Sequence, residues 1–332
     1  VTLDFRPLGI AVGHATDNAG ATGLTVVRGI DAPLRAGAAV FGRATGEREL
    51  NTVSPNHLVD RIDALMLTGG SAYGLDAAAG VMRWMEERGR GFAVPGGVVP
   101  IVPAAVIFDL APLGRFDARP SAAMAYAACD AAAPNDIAEG SVGAGTGATV
   151  GKSAGPTRAM KGGIGGAMAD DGRWIVGALA VVNALGDVRD GAGRIIAGVR
   201  ADERSTRPIA FADALRQLGT ATAAEPRLGD RVATEAPTNT TLAVVATNAP
   251  LGRVELAQLA HAAGAALFRR ITPTGTSVDG DVVFALAPAG PIETVGNGQM
   301  AIEVLAVAAL EEAIERAVVT ARGRDGIPGL AD

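Results

Sequence analysis

The sequence predicts a layered α/β domain with helices outside its strands. Three observations carry that prediction. Past Thr240 the pattern alternates cleanly: a strand Leu242–Thr247, a helix from about Val254 to Arg269, a strand Asp281–Leu286, and a helix from about Gln299 to Ala321. Trp174–Val182 is an unbroken apolar run that reads as a buried strand. Arg61–Leu67 runs into glycines and then into a helical pattern, Leu75–Arg88, that Gly89 ends. Strands and helices that each have one apolar face must stack in layers to bury them.

The earlier segments fit the same scheme. Gly9–His14 and Gly23–Val27 read as short strands around a turn at Asp17–Gly20. Val94–Ala104 is an extended loop studded with prolines, and it enters a strand at Ala105–Asp109. Ser121–Ala133 is Ala-rich and helical. Asp190–Arg204 reads as an exposed hairpin or loop, Pro208–Leu218 as a short helix, and Thr220–Asn239 as a polar linker carrying Pro226 and Pro237.

The 332 residues are 48% apolar, which is ample for a buried core. Aromatic residues make up only 4% while Gly numbers 45, so the core is expected to pack small side chains closely. With 29 basic against 35 acidic residues there is no electrostatic footprint for nucleic acid. The apolar run Trp174–Leu185 is far short of the ~20 residues of a membrane span. Cys129 stands alone, so no intrachain disulfide forms, which is compatible with a reducing compartment. The expectation is a cytoplasmic protein, unless a leader was removed ahead of Val1. No nucleic-acid or membrane partner is expected.

The candidate chemistry centres on Pro237-Thr-Asn-Thr-Thr-Leu242, where a polar linker meets a strand. A Thr hydroxyl is a poor nucleophile unless a base takes its proton, and an N-terminal Thr carries its own base in the α-amino group. That group titrates near roughly 7.7–8.0, so much of it is neutral at physiological pH. A cut between Asn239 and Thr240 would therefore create a catalyst. The same Thr240 hydroxyl could make the cut by attacking the Asn239 carbonyl. The plainer reading is that two β-branched residues simply open a strand.

Other stretches offer both readings too. Asn183, at the end of the Trp174 strand, is placed to donate a hydrogen bond to an oxyanion, or is a turn residue before Leu185-Gly-Asp187. Asp279-Gly-Asp281 could hold an amine or orient a lysine, or could be a solvated turn. Ser71 does not sit in a nucleophile elbow, because Tyr73 stands where that motif needs Gly. Gly143–Ser153 is glycine-rich, yet Thr146 breaks the phosphate-loop pattern and Gly155-Pro156 precludes a long following helix. What that loop does offer is a cation, Lys152. His14, His57 and His261 lack metal-ligand spacing, and no metal or other cofactor is expected.

Taken together, several stretches resemble the L-aminopeptidase/D-esterase family, which includes the β-peptidyl aminopeptidases and the nylon-oligomer (6-aminohexanoate oligomer) endohydrolases. They are Leu67-Thr-Gly-Gly-Ser-Ala-Tyr-Gly-Leu75, Val99–Asp109, Gly143–Lys152, Leu179–Asn183, Asn239-Thr-Thr241 and Asp279-Gly-Asp281. The resemblance implies an αββα sandwich like that of N-terminal nucleophile hydrolases, differently connected. It implies one catalytic domain over 1–332 that cuts itself into residues 1–239 and 240–332 and assembles into a homo-oligomer, a tetramer of such heterodimers. It makes Thr240 the nucleophile and Asn183 a donor near the reacting carbonyl, with Lys152, Asp279 and Asp281 around them.

Two residues bear on where in the family the chain falls. Thr240 replaces the Ser of the β-peptidyl aminopeptidases, and with Asp279-Gly-Asp281 this leans toward the nylon-oligomer branch. Phe108 stands where relatives carry a substrate-facing Tyr, which removes one donor. The implied substrates are short peptides with free amino termini, β-amino peptides or ω-amino acid oligomers. The alternatives are an acyl transferase of the ornithine acetyltransferase type, which also cuts itself before a Thr, and a nucleotide-binding module using Gly143–Ser153.

Overall fold

The computed structural model describes residues 3–203, 209–219 and 239–332. The Thr220–Asn239 linker lies outside them except for Asn239. Two five-stranded sheets stack face to face, and helices cover both outer faces. Numbering only the strands of these sheets in chain order, the elements are β1 (Ile10–Asp17), β2 (Thr22–Gly29), β3 (Leu34–Gly42), β4 (Glu47–Arg48), β5 (Ala64–Thr68), β6 (Ala104–Val106), β7 (Gly163–Asp170), β8 (Ile175–Asn183), β9 (Thr240–Thr247) and β10 (Gly280–Pro288). The helices are α1 (Ala78–Glu86), α2 (Ala122–Ala131), α3 (Ala214–Gly219), α4 (Arg253–Ala263), α5 (Ala265–Arg270) and α6 (Gly298–Val319).

The first sheet runs β1-β2-β5-β6-β4 and the second β7-β8-β9-β10-β3. Most neighbours are antiparallel. The exceptions are β5 with β6 and, at the heart of the second sheet, β9 with β10. This is the αββα sandwich, and the expected α/β class holds.

Strand periodicity explains the layering. Successive side chains on a strand point to opposite faces, so Leu242, Val244 and Ala246 of β9 meet Leu65, Leu67 and Ile10 between the sheets. Ala243 and Val245 face Leu256, Leu259 and Leu310 on the helical side. On the other flank, Leu24, Val26 and Met66 pack against Val81, Trp84 and Ala128 of α1 and α2. The small-residue core is real. A Cβ on Gly163 would lie 2.5 Å from the Ala317 carbonyl of α6, and one on Gly165 would collide with Ala313 and Ala317. Hydrophobic burial holds the layers, and these glycines set how closely helix and strand approach.

Several elements differ from the sequence reading. The Val254–Arg269 helix is two helices, α4 and α5, meeting at Gly264, where a side chain would strike the Phe41 ring. The Leu75–Arg88 helix starts with a 3-10 segment at Ser71–Ala77, whose first residue has φ of +52°. The Pro-studded loop contains a small hairpin, Phe92–Val94 with Gly97–Val99. Strands β3 and β7 carry little sequence signal, because their Gly- and Ala-rich stretches hold a single β-branched side chain each, Val40 and Ile164. Among the described residues, no helix is long and apolar enough to cross a membrane.

Candidate active site

Register brings the sequence candidates together. In the antiparallel β8–β9 pair Asn183 lies opposite Thr240. The parallel β9–β10 pair matches Leu242 with Val282, which sets Thr240 beside Gly280, and a further bridge joins Asn239 to Asp279. By strand parity Thr240 and Asn183 share the face between the sheets with Leu242 and Val181. Thr240 is thus the first residue of a central strand, and it is buried.

Two donors meet at one carbonyl. The Thr240 hydroxyl donates to the Asn239 carbonyl oxygen at 2.6 Å, and the Gly280 N–H donates to the same oxygen at 3.0 Å. Gly280 is the residue that sequence reasoning missed, since its contribution is a backbone N–H. The available signal was a glycine between two aspartates. A Cβ there would lie 2.8 Å from the Thr240 hydroxyl oxygen and 2.5 Å from the Ala44 carbonyl.

Asn183 is fixed at both ends of its amide. Its Oδ1 accepts from the Thr149 N–H at 3.0 Å and from Lys152 Nζ at 3.0 Å, while its Nδ2 donates to the Phe108 carbonyl at 3.1 Å. Donors at one end and an acceptor at the other decide the amide orientation. Lys152 also donates to the Asn183 backbone carbonyl at 2.9 Å. Its own loop is docked by N–H groups of Gly151 and Lys152 on the carbonyls of Gly186 and Leu185. Phe108 therefore enters the site through its backbone carbonyl.

Asp281 braces β9 at Thr241, and Asp279 braces the turn that leads into β10. Asp281 accepts from the Thr241 N–H at 2.6 Å, the Thr274 hydroxyl at 2.7 Å and the Gly275 N–H at 3.0 Å. Asp279 accepts from the N–H and hydroxyl of Thr276 at 2.8 and 2.7 Å, and its backbone carbonyl takes the N–H groups of Arg43 and Ala44. Burial pushes Asp281 up to about 6, and the neighbouring Asp279 charge adds to it. Burial pushes Lys152 down to about 7, against the pull of Asp279 and Asp281 toward its charged form. Of the readings open for these carboxylates, the lysine-directed one has this electrostatic support.

The remaining candidates fall outside. His14 Nδ1 lies 2.9 Å from the Thr25 hydroxyl, under Gly143, and burial holds it down at about 4, a neutral structural residue. The N–H groups of the Gly143–Ser153 loop are engaged by the protein itself: Gly143 on the Thr16 hydroxyl of β1, Ala144 on the Thr25 hydroxyl of β2, and Gly145, Thr146 and Ala148 on nearby carbonyls. A phosphate cradle needs those donors, so the nucleotide reading is set aside. Among the described residues, no three His, Cys, Asp or Glu side chains gather so as to hold a metal ion.

Comparison with known proteins decides the family. The model of Peptidase family S58 matches residues 8–330. The chain belongs to Peptidase family S58. It is a hydrolase of peptide or amide bonds. An uncharacterized aminopeptidase of Mycobacterium tuberculosis is 41% identical over 347 residues, covering 98% of this chain and 95% of that protein. A 6-aminohexanoate-oligomer endohydrolase of Kocuria sp. is 32% identical over 300 residues, covering 86% of this chain and 74% of that protein.

Among solved structures, the L-aminopeptidase D-Ala-esterase/amidase of Ochrobactrum anthropi, described as a new variant among the Ntn hydrolase fold, superposes with a TM-score of 0.71. It is 21% identical and covers 100% of this chain and 92% of its own. A Burkholderia sp. beta-aminopeptidase superposes with a TM-score of 0.65 at 24% identity, covering 97% and 87%. These two likenesses bear on the fold. The resemblance read from the motifs is thereby upheld.

Proposed function

We propose that this S58 hydrolase cuts itself between Asn239 and Thr240, and that Thr240 then works as an N-terminal nucleophile on amide substrates. The observation that carries the reading is the convergence of the Thr240 hydroxyl and the Gly280 N–H on the Asn239 carbonyl oxygen. In the cut, Oγ1 attacks the Asn239 carbonyl carbon, and its proton passes to a base. The carbonyl oxygen gains negative charge, which the Gly280 N–H stabilises. Collapse breaks the C–N bond as the Thr240 nitrogen takes a proton, leaving an ester that water hydrolyses to the Asn239 carboxylate and a free Thr240. Lys152, held near 7, is the base for this first round, because the Thr240 nitrogen is still an amide.

The mature enzyme repeats the chemistry on a substrate. The Thr240 α-amino group now serves as the base, the acyl group passes to Oγ1 as the leaving amine takes a proton, and water releases the acid. Asn183 orients the reacting carbonyl from the neighbouring strand, Lys152 holds Asn183, and Asp279 with Asp281 hold Lys152 and the nucleophile strand. No cofactor enters this scheme. The substrates are short peptides with free amino termini, β-amino peptides or 6-aminohexanoate oligomers, with the endohydrolase relative supporting the last. The same reading makes residues 1–332 one catalytic domain of two pieces, assembled as a homo-oligomer, a tetramer of heterodimers.

Intact-protein mass tests it. Two species meeting at the Asn239–Thr240 bond are expected for the wild type, and one uncut chain for Thr240→Ala. A single uncut wild-type mass after prolonged incubation would overturn the reading.

A further inference from the structure

Two buried charges outside the reaction scheme lie on either side of the glycine loop that carries Thr149. Lys161 is fully buried, and its ammonium donates to three backbone carbonyls: Gly145 at 2.8 Å, Ala148 at 2.9 Å and Gly162 at 2.7 Å. An ammonium has three N–H donors and no acceptor, so this cage fits its charged form completely. Asp109 is also fully buried, and it accepts from the Gly70 N–H at 2.6 Å and the Thr22 hydroxyl at 2.7 Å. Between them passes Gly147, where a Cβ would come within 2.6 Å of the Asp109 Cβ and collide with the Ala21 carbonyl. The loop is pressed against the carboxylate on one side and tied to the ammonium on the other.

Burial opposes both charges, pushing Asp109 up to about 6 and Lys161 down to about 7. Each favours the charged form of the other, while Arg324 opposes that of Lys161. Burying two charges is costly, and replacing a whole buried opposite-charge pair by apolar groups often leaves stability unchanged or improved. Their placement offers another use. Ala148, held by Lys161, precedes Thr149, whose N–H fixes Asn183 Oδ1. Asp109 follows Phe108, whose carbonyl fixes Asn183 Nδ2. One end of the Asn183 amide is thus held by the residue before Asp109, and the other by Thr149, which follows the Ala148 that Lys161 holds and stands opposite Lys161 in a short antiparallel pair.

We infer that Asp109 and Lys161 are positioning residues: a buried opposite-charge brace that holds the Phe108 carbonyl and the Thr149 N–H at the separation the Asn183 amide requires. The inference rests on the reading of Thr240 as nucleophile and Asn183 as its partner. Neither residue touches the reacting atoms. Their effect is on the alignment of Asn183 in the self-cut and in substrate hydrolysis.

The test uses full-length Asp109→Asn, Lys161→Met and the double variant, with Thr240→Ala beside them. Self-cutting is followed by intact mass, and turnover is measured on alanine p-nitroanilide and a linear 6-aminohexanoate trimer. Each single variant is expected to slow the cut and lower kcat by at least ~10-fold, as small misplacements do, with KM changed by less than about twofold. The double variant is expected within about twofold of the slower single variant, because the pair acts as a unit. Asp109→Asn keeps the size of the side chain and an acceptor, so it decides alone if Lys161→Met does not fold. Wild-type cutting and kcat in Asp109→Asn, or a loss confined to KM or to melting temperature, overturns the brace. An active Thr240→Ala overturns the nucleophile reading and the brace with it, whereas an inactive Thr240→Ala beside a full-speed Asp109→Asn overturns the brace alone.

Discussion

The Gly280 N–H donates to the Asn239 carbonyl oxygen over 3.0 Å, on the same oxygen that the Thr240 hydroxyl reaches at 2.6 Å. The two come from neighbouring central strands, so sheet register and not a flexible loop sets their convergence. A donor already aimed at a carbonyl needs no reorganisation when charge develops there, which is the economical form of electrostatic catalysis.

Gly280→Ala should slow the self-cut by roughly 10²-fold, since displacement at a reacting centre costs on that order. The N–H survives the substitution, but the new methyl group would lie 2.8 Å from the Thr240 hydroxyl oxygen. A time course of intact mass at fixed pH reads this directly.

Asn183→Ala should lower kcat by about 10²–10³-fold, the usual cost of a lost donor at a developing oxyanion. It also strips partners from the buried Thr149 N–H and from the Phe108 carbonyl. Unfolding stability should fall by about 1–3 kcal/mol for each buried polar group left unsatisfied. Steady-state kinetics and urea titration separate the two effects.

The pH dependence of the self-cut has a definite sign. Lys152 titrates at about 7, so its neutral, basic form grows as pH rises through that value, and the cut should accelerate across the same window. Asp279 favours the ammonium, so Asp279→Asn should move the rising limb to lower pH. Lys152→Met should remove the limb and leave a slow residual rate. Stability has a matching sign. A lysine held at about 7 against an ordinary 10.5 leaves the folded state with fewer protons than the unfolded one between those values, so its contribution favours folding increasingly as pH rises. Melting curves of wild type and Lys152→Met over this range check it.

Gly165→Ala should destabilise the fold by about 1–3 kcal/mol through overpacking, with little effect on kcat per folded molecule. The added methyl group would drive β7 into the backbone of α6 at Ala313 and Ala317. Denaturant unfolding gives the loss, and kcat corrected for folded fraction gives the control.

Much of the candidate site was legible because it is built from side chains with distinctive chemistry. Thr240, Asn183, Lys152, Asp279 and Asp281 stand in short motifs whose spacing survives any amount of intervening chain. The strands around Thr240 were legible too, since Val- and Leu-rich runs such as Leu242–Val245 announce themselves. Backbone donors left no such mark. The N–H groups of Gly280 and Thr149 exist at every residue but proline, and only register makes these two matter. Strands β3 and β7 were hidden by their composition: Gly163-Ile-Gly-Gly-Ala167 has almost no strand-forming side chains of its own, and its glycines gain their meaning where α6 packs against them. Lys161 was invisible as well, because a lysine in sequence is expected to be solvated, and only the folded cage of three carbonyls shows otherwise.

The strand order of the second sheet has a mechanical consequence. Residues 240–332 supply the adjacent strands β9 and β10, and residues 1–239 supply β7 and β8 on one side and β3 on the other. The C-terminal segment is therefore a wedge clasped on both flanks by the N-terminal one, and α6 lies across β7 and β8 as well. A break at Asn239–Thr240 would leave two polypeptides that cannot drift apart by loosening an edge. Separation demands that hydrogen-bonded ladders on both sides of the wedge unzip together, so the pieces would share one cooperative melting event and part only in denaturant.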